Sequence, residues 1–348
     1  MVGIALLGAG IFAKQAHVPA LVKNDDANIL AVYSRSNASV NSVVEAVNSA
    51  TEAFTNIDVY SDEKSGYGLD ELLQRSDIDA VIVLLPILIG PDVVRKCLAA
   101  GKHVLAEKPI AKDVATGKAL IADYEGTYAQ RNLVFSIAEQ FRYDTAFKKA
   151  GEIVSSGQIG KLNHVHARVW NNVQPGGKYY ETAWRKAPEY QGGFILDGGV
   201  HFVALVRMVA GQEIVETKSF AAQFQPHLPP VDTVNAAMKF SGGALGTLCI
   251  SFASTKAMAE YIFVGTNGAL TVKCVGPDTT LIVEGADRKV ASQDTYKADG
   301  IAGEINAFVR AVVAGKGDKA GSPREALGDV AVVESICSGG GIVPSHTE

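Results

Sequence analysis

Gly8-Ala9-Gly10-Ile11-Phe12-Ala13 is the first stretch whose residue types are spaced for chemistry. It follows an apolar run, Ile4–Leu7, and so reads as a turn from a strand into a helix. A residue without a side chain lets the backbone turn tightly at Gly8 and approach a pyrophosphate at Gly10. Ala13, in place of a third glycine, still permits close helix–strand packing. The helix start then offers free N–H groups and a favourable dipole to phosphates. Gly8, Gly10, Ile11 and Phe12 are therefore expected to hold a dinucleotide. A GxGxxA string alone also describes a plain tight turn; its position at the first strand–helix junction favours the ligand.

The second strand ends at Tyr33-Ser34-Arg35-Ser36. Enzymes that use NAD usually place an acid here to bond the ribose 2′-hydroxyl, and this turn has none. Arg35 can instead pair with a 2′-phosphate, helped by Ser34 and Ser36, which predicts NADP(H) as the cofactor. Asp197 and His201 are four apart, which on a helix puts both on one face, about 5–6 Å apart at Cβ. An imidazole suits proton exchange near neutral pH. The aspartate can orient a substrate hydroxyl or the histidine, or simply cap a helix. Gly198 and Gly199 would keep the helix start open to a substrate. His164 and His166 share a strand face, but no third ligand is spaced near them, so no metal is expected.

These groups need a frame. Ile4–Leu7, Ile29–Tyr33, Ala80–Leu85, Val104–Ala106 and Leu133–Ile137 are continuous apolar runs, as in parallel strands covered on both faces. Helical stretches lie between them, around 39–50, 70–76, 91–100 and 114–129. The order predicts a doubly wound sheet with right-handed crossovers, a Rossmann domain over residues 1–138. Beyond it, over 139–348, alternating runs at Leu162–Trp170, Glu216–Phe224, Asn235–Phe240, Leu245–Phe252, Tyr261–Gly265, Leu270–Lys273 and Leu281–Val283 predict a large, mainly antiparallel sheet. Helices near 197–209, 303–314 and 324–337 complete an α+β substrate-binding domain. The fold class is thus α/β.

With 348 residues the chain suits two domains. Its net charge of −5 and its lack of basic blocks argue against nucleic acid or an anionic membrane as partner. No run reaches the roughly 18 apolar residues that span a bilayer. Cys97, Cys249, Cys274 and Cys337 form no CxxC pair, which fits a reducing, cytoplasmic setting. The closing Ser345-His346-Thr347-Glu348 is neither a peroxisomal nor an ER-retention signal.

Glu107-Lys108-Pro109, at the end of the fifth strand, adds a recognisable pattern. Together with GxGxxA and Gly192-Gly193-x-x-x-Asp197-Gly198-Gly199-x-His201, it resembles the glucose–fructose oxidoreductase/inositol dehydrogenase/rhizopine catabolism (Gfo/Idh/MocA) superfamily. Ser156-Gly157-Gln158-Ile159-Gly160-Lys161, Gly265-Thr266-Asn267-Gly268 and Ser322-Pro323-Arg324-Glu325-Ala326 extend the resemblance over essentially the whole chain. The stretch Trp184 to Ala204 is most similar to a fungal branch of NADP-dependent oxidoreductases. The resemblance implies reversible hydride transfer between NADP(H) and a small carbonyl/alcohol pair: a sugar, polyol, aldehyde or ketone. It implies that Lys108 polarises or protonates the substrate oxygen, as developing negative charge requires. Asp197 and His201 would complete the catalytic set. It adds Leu85, Pro86, Glu107, Trp184 and Arg185 to the cofactor contacts, Arg142, Tyr143 and Tyr180 to the substrate candidates, and a homodimer through the C-terminal sheet.

One stretch departs from the family pattern. Many members carry Thr-Pro-Asn and then a histidine after the fourth strand, where this chain has Leu85-Pro86-Ile87-Leu88-Ile89-Gly90. The wall near the nicotinamide would then be apolar, which puts a simple sugar substrate in doubt. Two rival functions stand beside hydride transfer to a free substrate. One is a non-catalytic nucleotide sensor, which would need none of Lys108, Asp197 and His201. The other is a redox-assisted glycosidase, which keeps NAD and is disfavoured by Arg35.

Overall fold

The computed structural model describes residues 1–51 and 56–346, so Thr347 and Glu348 of the closing tetrapeptide lie outside the described residues. The chain forms two compact units, one of 1–111, 115–139 and 301–326, the other of 112–114, 140–300 and 327–348. Among the described residues no helix is long and apolar enough to cross a membrane.

The first unit is built on β1 (Val2–Leu7), β2 (Ala27–Ser34), β3 (Asp58–Ser61), β4 (Ala80–Val83), β5 (His103–Glu107) and β6 (Phe135–Ala138). All neighbours run parallel in the order β3-β2-β1-β4-β5-β6. That order reverses direction at β1/β4, the topological switch point where such sheets bind ligands. Every residue of β1 and β4 is buried, as their unbroken apolar runs require. Helix Asn37–Ala50 starts where the Ser36 hydroxyl accepts from the Ser39 N–H, and turns Val40, Val43 and Val47 into the core. Strand β3 is short and half polar, and the apolar runs in the sequence do not reveal it. Helix Gly300–Ala314, far along the chain, contributes Ile305, Phe308 and Val309 to this same core.

The second unit carries β7 (Leu162–Asn172), β8 (Ile214–Ala222), β9 (Thr233–Phe240), β10 (Leu245–Ser251), β11 (Ala253–Gly265), β12 (Gly268–Val275), β13 (Asp278–Gly285), β14 (Val290–Lys297) and β15 (Gly340–Ile342). They form one sheet, β14-β13-β12-β11-β7-β10-β9-β8-β15. It is antiparallel except for the parallel pair β10/β7. Val165, Ala167 and Val169 of β7 point into the core, while His164, His166 and Arg168 are exposed. Helices Thr145–Ser155 and Gly199–Ala210 pack on this sheet.

Candidate functional site

The glycine turn has the geometry a pyrophosphate needs. Gly8 has φ +117°, and a Cβ there would sit 2.3 Å from the Leu84 carbonyl oxygen, so no other residue fits. Its N–H donates to the Tyr33 carbonyl at 2.8 Å, which ties the turn to β2. A Cβ on Gly10 would meet nothing within 4 Å, so this face of the turn is open to a ligand. Ile11 and Phe12 are partly buried, and Ala13 is packed in the core. The chain then runs through the wide helical turns Ala13–His17 and on into Val18–Leu21. These residues fit a dinucleotide.

At the end of β2, Arg35 is exposed and Ser34 half-buried, while Ser36 is used as the helix cap. Two carboxylates that the sequence reading missed arrive from the loop after β3. Asp62 accepts from the Tyr33 hydroxyl at 2.8 Å, and Glu63 accepts from the Asn37 N–H at 2.9 Å. Burial, followed by the bond to Asp62, pushes the Tyr33 phenol up to about 12.

The end of β5 carries Glu107, Lys108 and Pro109, joined by a cis Lys108–Pro109 peptide. Here Val83, Leu85, Ile87, Glu107, Lys108 and Pro109 line a small depression. Pro86 is partly buried in the same wall. The imidazole of His17 lies wholly buried, with Nε2 2.6 Å from Oε1 of Glu107. Phe12 packs edge-on against that ring at 5.4 Å. His17 thus supports the strand end that presents Lys108.

In the second unit, Asp197 closes a short helix, Phe194–Asp197, and Gly198 separates it from helix Gly199–Ala210, which carries His201. The N-cap position of that second helix is Gly198, one residue beyond Asp197. The Asp197 carboxylate takes Arg185, with Nε 2.6 Å from Oδ2. The same guanidinium lies 4.0 Å over the Trp184 ring. Tyr190 is buried nearby, its phenol pushed up by burial and then by the Asp197 charge. His201 stacks on Phe141 with ring centroids 4.9 Å apart. Gly198 does not open the backbone to a substrate: a Cβ there would meet the Phe252 ring at 2.8 Å, so the glycine serves packing.

Arg142 is not on an open surface. Its Nη2 donates to both oxygens of Asp329 at 2.8 and 2.7 Å, and Arg207 donates to the same aspartate at 2.5 Å. Arg207 also binds Glu213 at 2.8 Å and His346 at 2.9 Å. The geometry gives Arg142 a structural partner, and Tyr143 is partly buried in the same turn. Tyr180 meets His227 edge-on at 5.4 Å. On β7, His166 bonds Thr247 at 2.9 Å and its ring stacks beside His164.

Comparison with known proteins adds an independent line. Residues 2–130 match the family model described as oxidoreductase family, NAD-binding Rossmann fold. Residues 147–271 match the model of the GFO/IDH/MocA C-terminal domain. A dehydrogenase of Fusarium mangiferae is 36% identical over 342 residues, covering 97% of this chain and 95% of the relative. Among solved structures, an oxidoreductase of Thermotoga maritima superposes with TM-score 0.85 at 30% identity over 98% of both chains. A 3-ketoreductase of Actinomadura kijaniata, in complex with NADP and TDP-benzene, superposes with TM-score 0.80 at 22% identity over 97% of both.

Proposed function

The chain belongs to the Gfo/Idh/MocA oxidoreductase family, and we propose that it transfers a hydride reversibly between NADP(H) and a small carbonyl/alcohol pair. The reading is carried by the carboxyl edge of one parallel sheet, where the open glycine turn after β1 and Lys108 after β5 both lie. Gly8, Gly10, Ile11 and Phe12 would hold the pyrophosphate, and Arg35 with Ser34 the 2′-phosphate. Leu85, Pro86, Glu107 and Lys108 would border the nicotinamide. Trp184 and Arg185 remain further candidate contacts to the cofactor. When bound, the cofactor supplies or accepts the hydride.

Lys108 stabilises the charge that develops on the substrate oxygen and holds the proton delivered there. His201 exchanges that proton with solvent, and Asp197, set by Arg185, orients the substrate. Tyr143 and Tyr180 are weaker candidates for substrate contact. The apolar Leu85 and Ile87 favour a substrate with an apolar portion beside its carbonyl, so aldehydes and ketones join sugars and polyols in the test. The wide exposed face of β7, with His164, His166 and Arg168, suits pairing with a second copy, and we place the homodimer there. The four cysteines are unpaired thiols, two of them, Cys97 and Cys337, pushed up to about 12 by burial, in keeping with a cytoplasmic protein.

The test mixes the protein with NADPH and a panel of aldehydes, ketones and keto-sugars, and with NADP and sugars and polyols, following nicotinamide absorbance. Turnover that is lost in Lys108→Ala supports the reading. Tight NADPH binding without turnover across the panel would move a nucleotide sensor to the front.

A further inference from the structure

Glu304 has a setting that neither packing nor the proposed chemistry accounts for. It sits on helix Gly300–Ala314 with 1% of its surface exposed, and neither carboxylate oxygen has a hydrogen-bond partner within the protein. One polar atom from each of Glu304, His17 and Glu107 lies within 4.8 Å of the other two. The Nδ1 of His17, also buried, is likewise without a partner.

The charged groups that face Glu304 come from three directions. His17 comes from the turns after the glycine loop, Glu107 and Lys108 from the end of β5, and Glu139 from just beyond β6. An ionised carboxylate in such a place, without donors and beside other carboxylates, is strongly disfavoured. Burial, and then the charges of Glu107 and Glu139, hold the Glu304 carboxyl well above its usual range, against the opposing effect of Lys108.

We infer that Glu304 holds a proton in the cofactor-free protein and releases it to solvent when an oxidised nicotinamide, a cation, occupies the β5 end beside Glu107 and Lys108. The neutral, reduced ring leaves the proton in place. The physical cause is Coulombic: an added positive charge favours the ionised carboxylate, and a neutral ring does not. The cluster thereby makes the preference between oxidised and reduced cofactor depend on pH. This release rests on the reading that NADP(H) binds at that strand end; the resident proton does not.

Two measurements separate the two parts, each on wild type and Glu304→Gln. The first is the unfolding equilibrium of the cofactor-free protein from about pH 5 to pH 8. A group whose folded pKa is raised keeps its proton longer in the folded state, so its stabilising effect fades as pH rises above the usual carboxyl range. The wild type should lose stability relative to the variant by up to about tenfold in the unfolding constant per pH unit. Parallel profiles overturn the inference. If the variant does not fold, the infrared carbonyl band of a protonated carboxyl in the cofactor-free wild type answers the same question, and absence of that band overturns the resident proton. Loss of that band on adding NADP is expected, and an unchanged spectrum overturns the release.

The second is the ratio of the Kd for NADP to the Kd for NADPH against pH. Titration of the 2′-phosphate is common to both forms and cancels. In wild type the ratio should fall by up to about tenfold per pH unit, and in Glu304→Gln it should stay flat. A flat ratio in wild type, or an unchanged slope in the variant, overturns the release from Glu304. Failure of both forms to bind defeats the cofactor reading and the release with it, while the first measurement still decides whether the proton is there.

Discussion

Arg185 and Asp197, twelve residues apart, form an ion pair whose side chains are 17% and 9% exposed, with Nε 2.6 Å from Oδ2. The aspartate that spacing alone offered as an orienter or a cap is therefore itself oriented. Loss of one partner removes the ion pair from a largely buried place. Arg185→Ala and Asp197→Ala should each destabilise the protein by roughly 2–4 kcal/mol. The double variant should cost less than their sum by about 1–3 kcal/mol. Denaturant midpoints of the four proteins measure this, and strict additivity would show that the pair carries no coupling.

Lys108→Ala and His201→Ala should lower kcat by about a hundredfold to ten-thousandfold, the range for loss of a positioned proton donor or acceptor. NADPH affinity, read by fluorescence titration, should change little in either. Full turnover in both variants would remove these residues from the mechanism.

Arg35→Asp should weaken NADPH relative to NADH by ten- to a hundredfold, the value of one charge-assisted hydrogen bond of roughly 1.5–3 kcal/mol. Glu63, bonded to the Asn37 N–H beside Arg35 in sequence, places negative charge near the same strand end. Glu63→Gln should therefore shift preference in the opposite direction, towards NADPH. Unchanged Kd ratios in both variants would end the 2′-phosphate assignment.

Arg142→Ala should act on stability. Arg142 and Asp329 are 5% and 2% exposed, and Asp329 keeps Arg207, so losing the Arg142 bonds should cost roughly 1.5–3 kcal/mol. In the folded fraction, KM should stay near the wild-type value. A large rise in KM with unaltered stability would return Arg142 to the substrate pocket.

A second copy on the β7 face predicts a dimer in light scattering at micromolar concentration. Charge introduced on that face, as in His166→Asp, should shift the mass towards that of one chain. A monomeric wild type would sink the assignment.

The features legible in the chain before folding are local or periodic. The turn at Gly8 is legible because φ +117° and a 2.3 Å approach to Leu84 admit only glycine, and the parallel strands because burial on both faces demands unbroken apolar runs. The alternation along β7 and β9 marked a sheet with two unlike faces. Polar β14, exposed along most of its length, lacks such a pattern and is held by pairing with β13. Tertiary structure alone decided which charges meet. The Arg142–Asp329 pair spans 187 residues and Arg324–Glu125 spans 199, separations over which no periodicity carries information. It also returned helix Gly300–Ala314 to the first unit, which brings Glu304 to His17 and Glu107. Chemistry between distant residues depends on where the chain comes back, and that is settled by packing of the whole core.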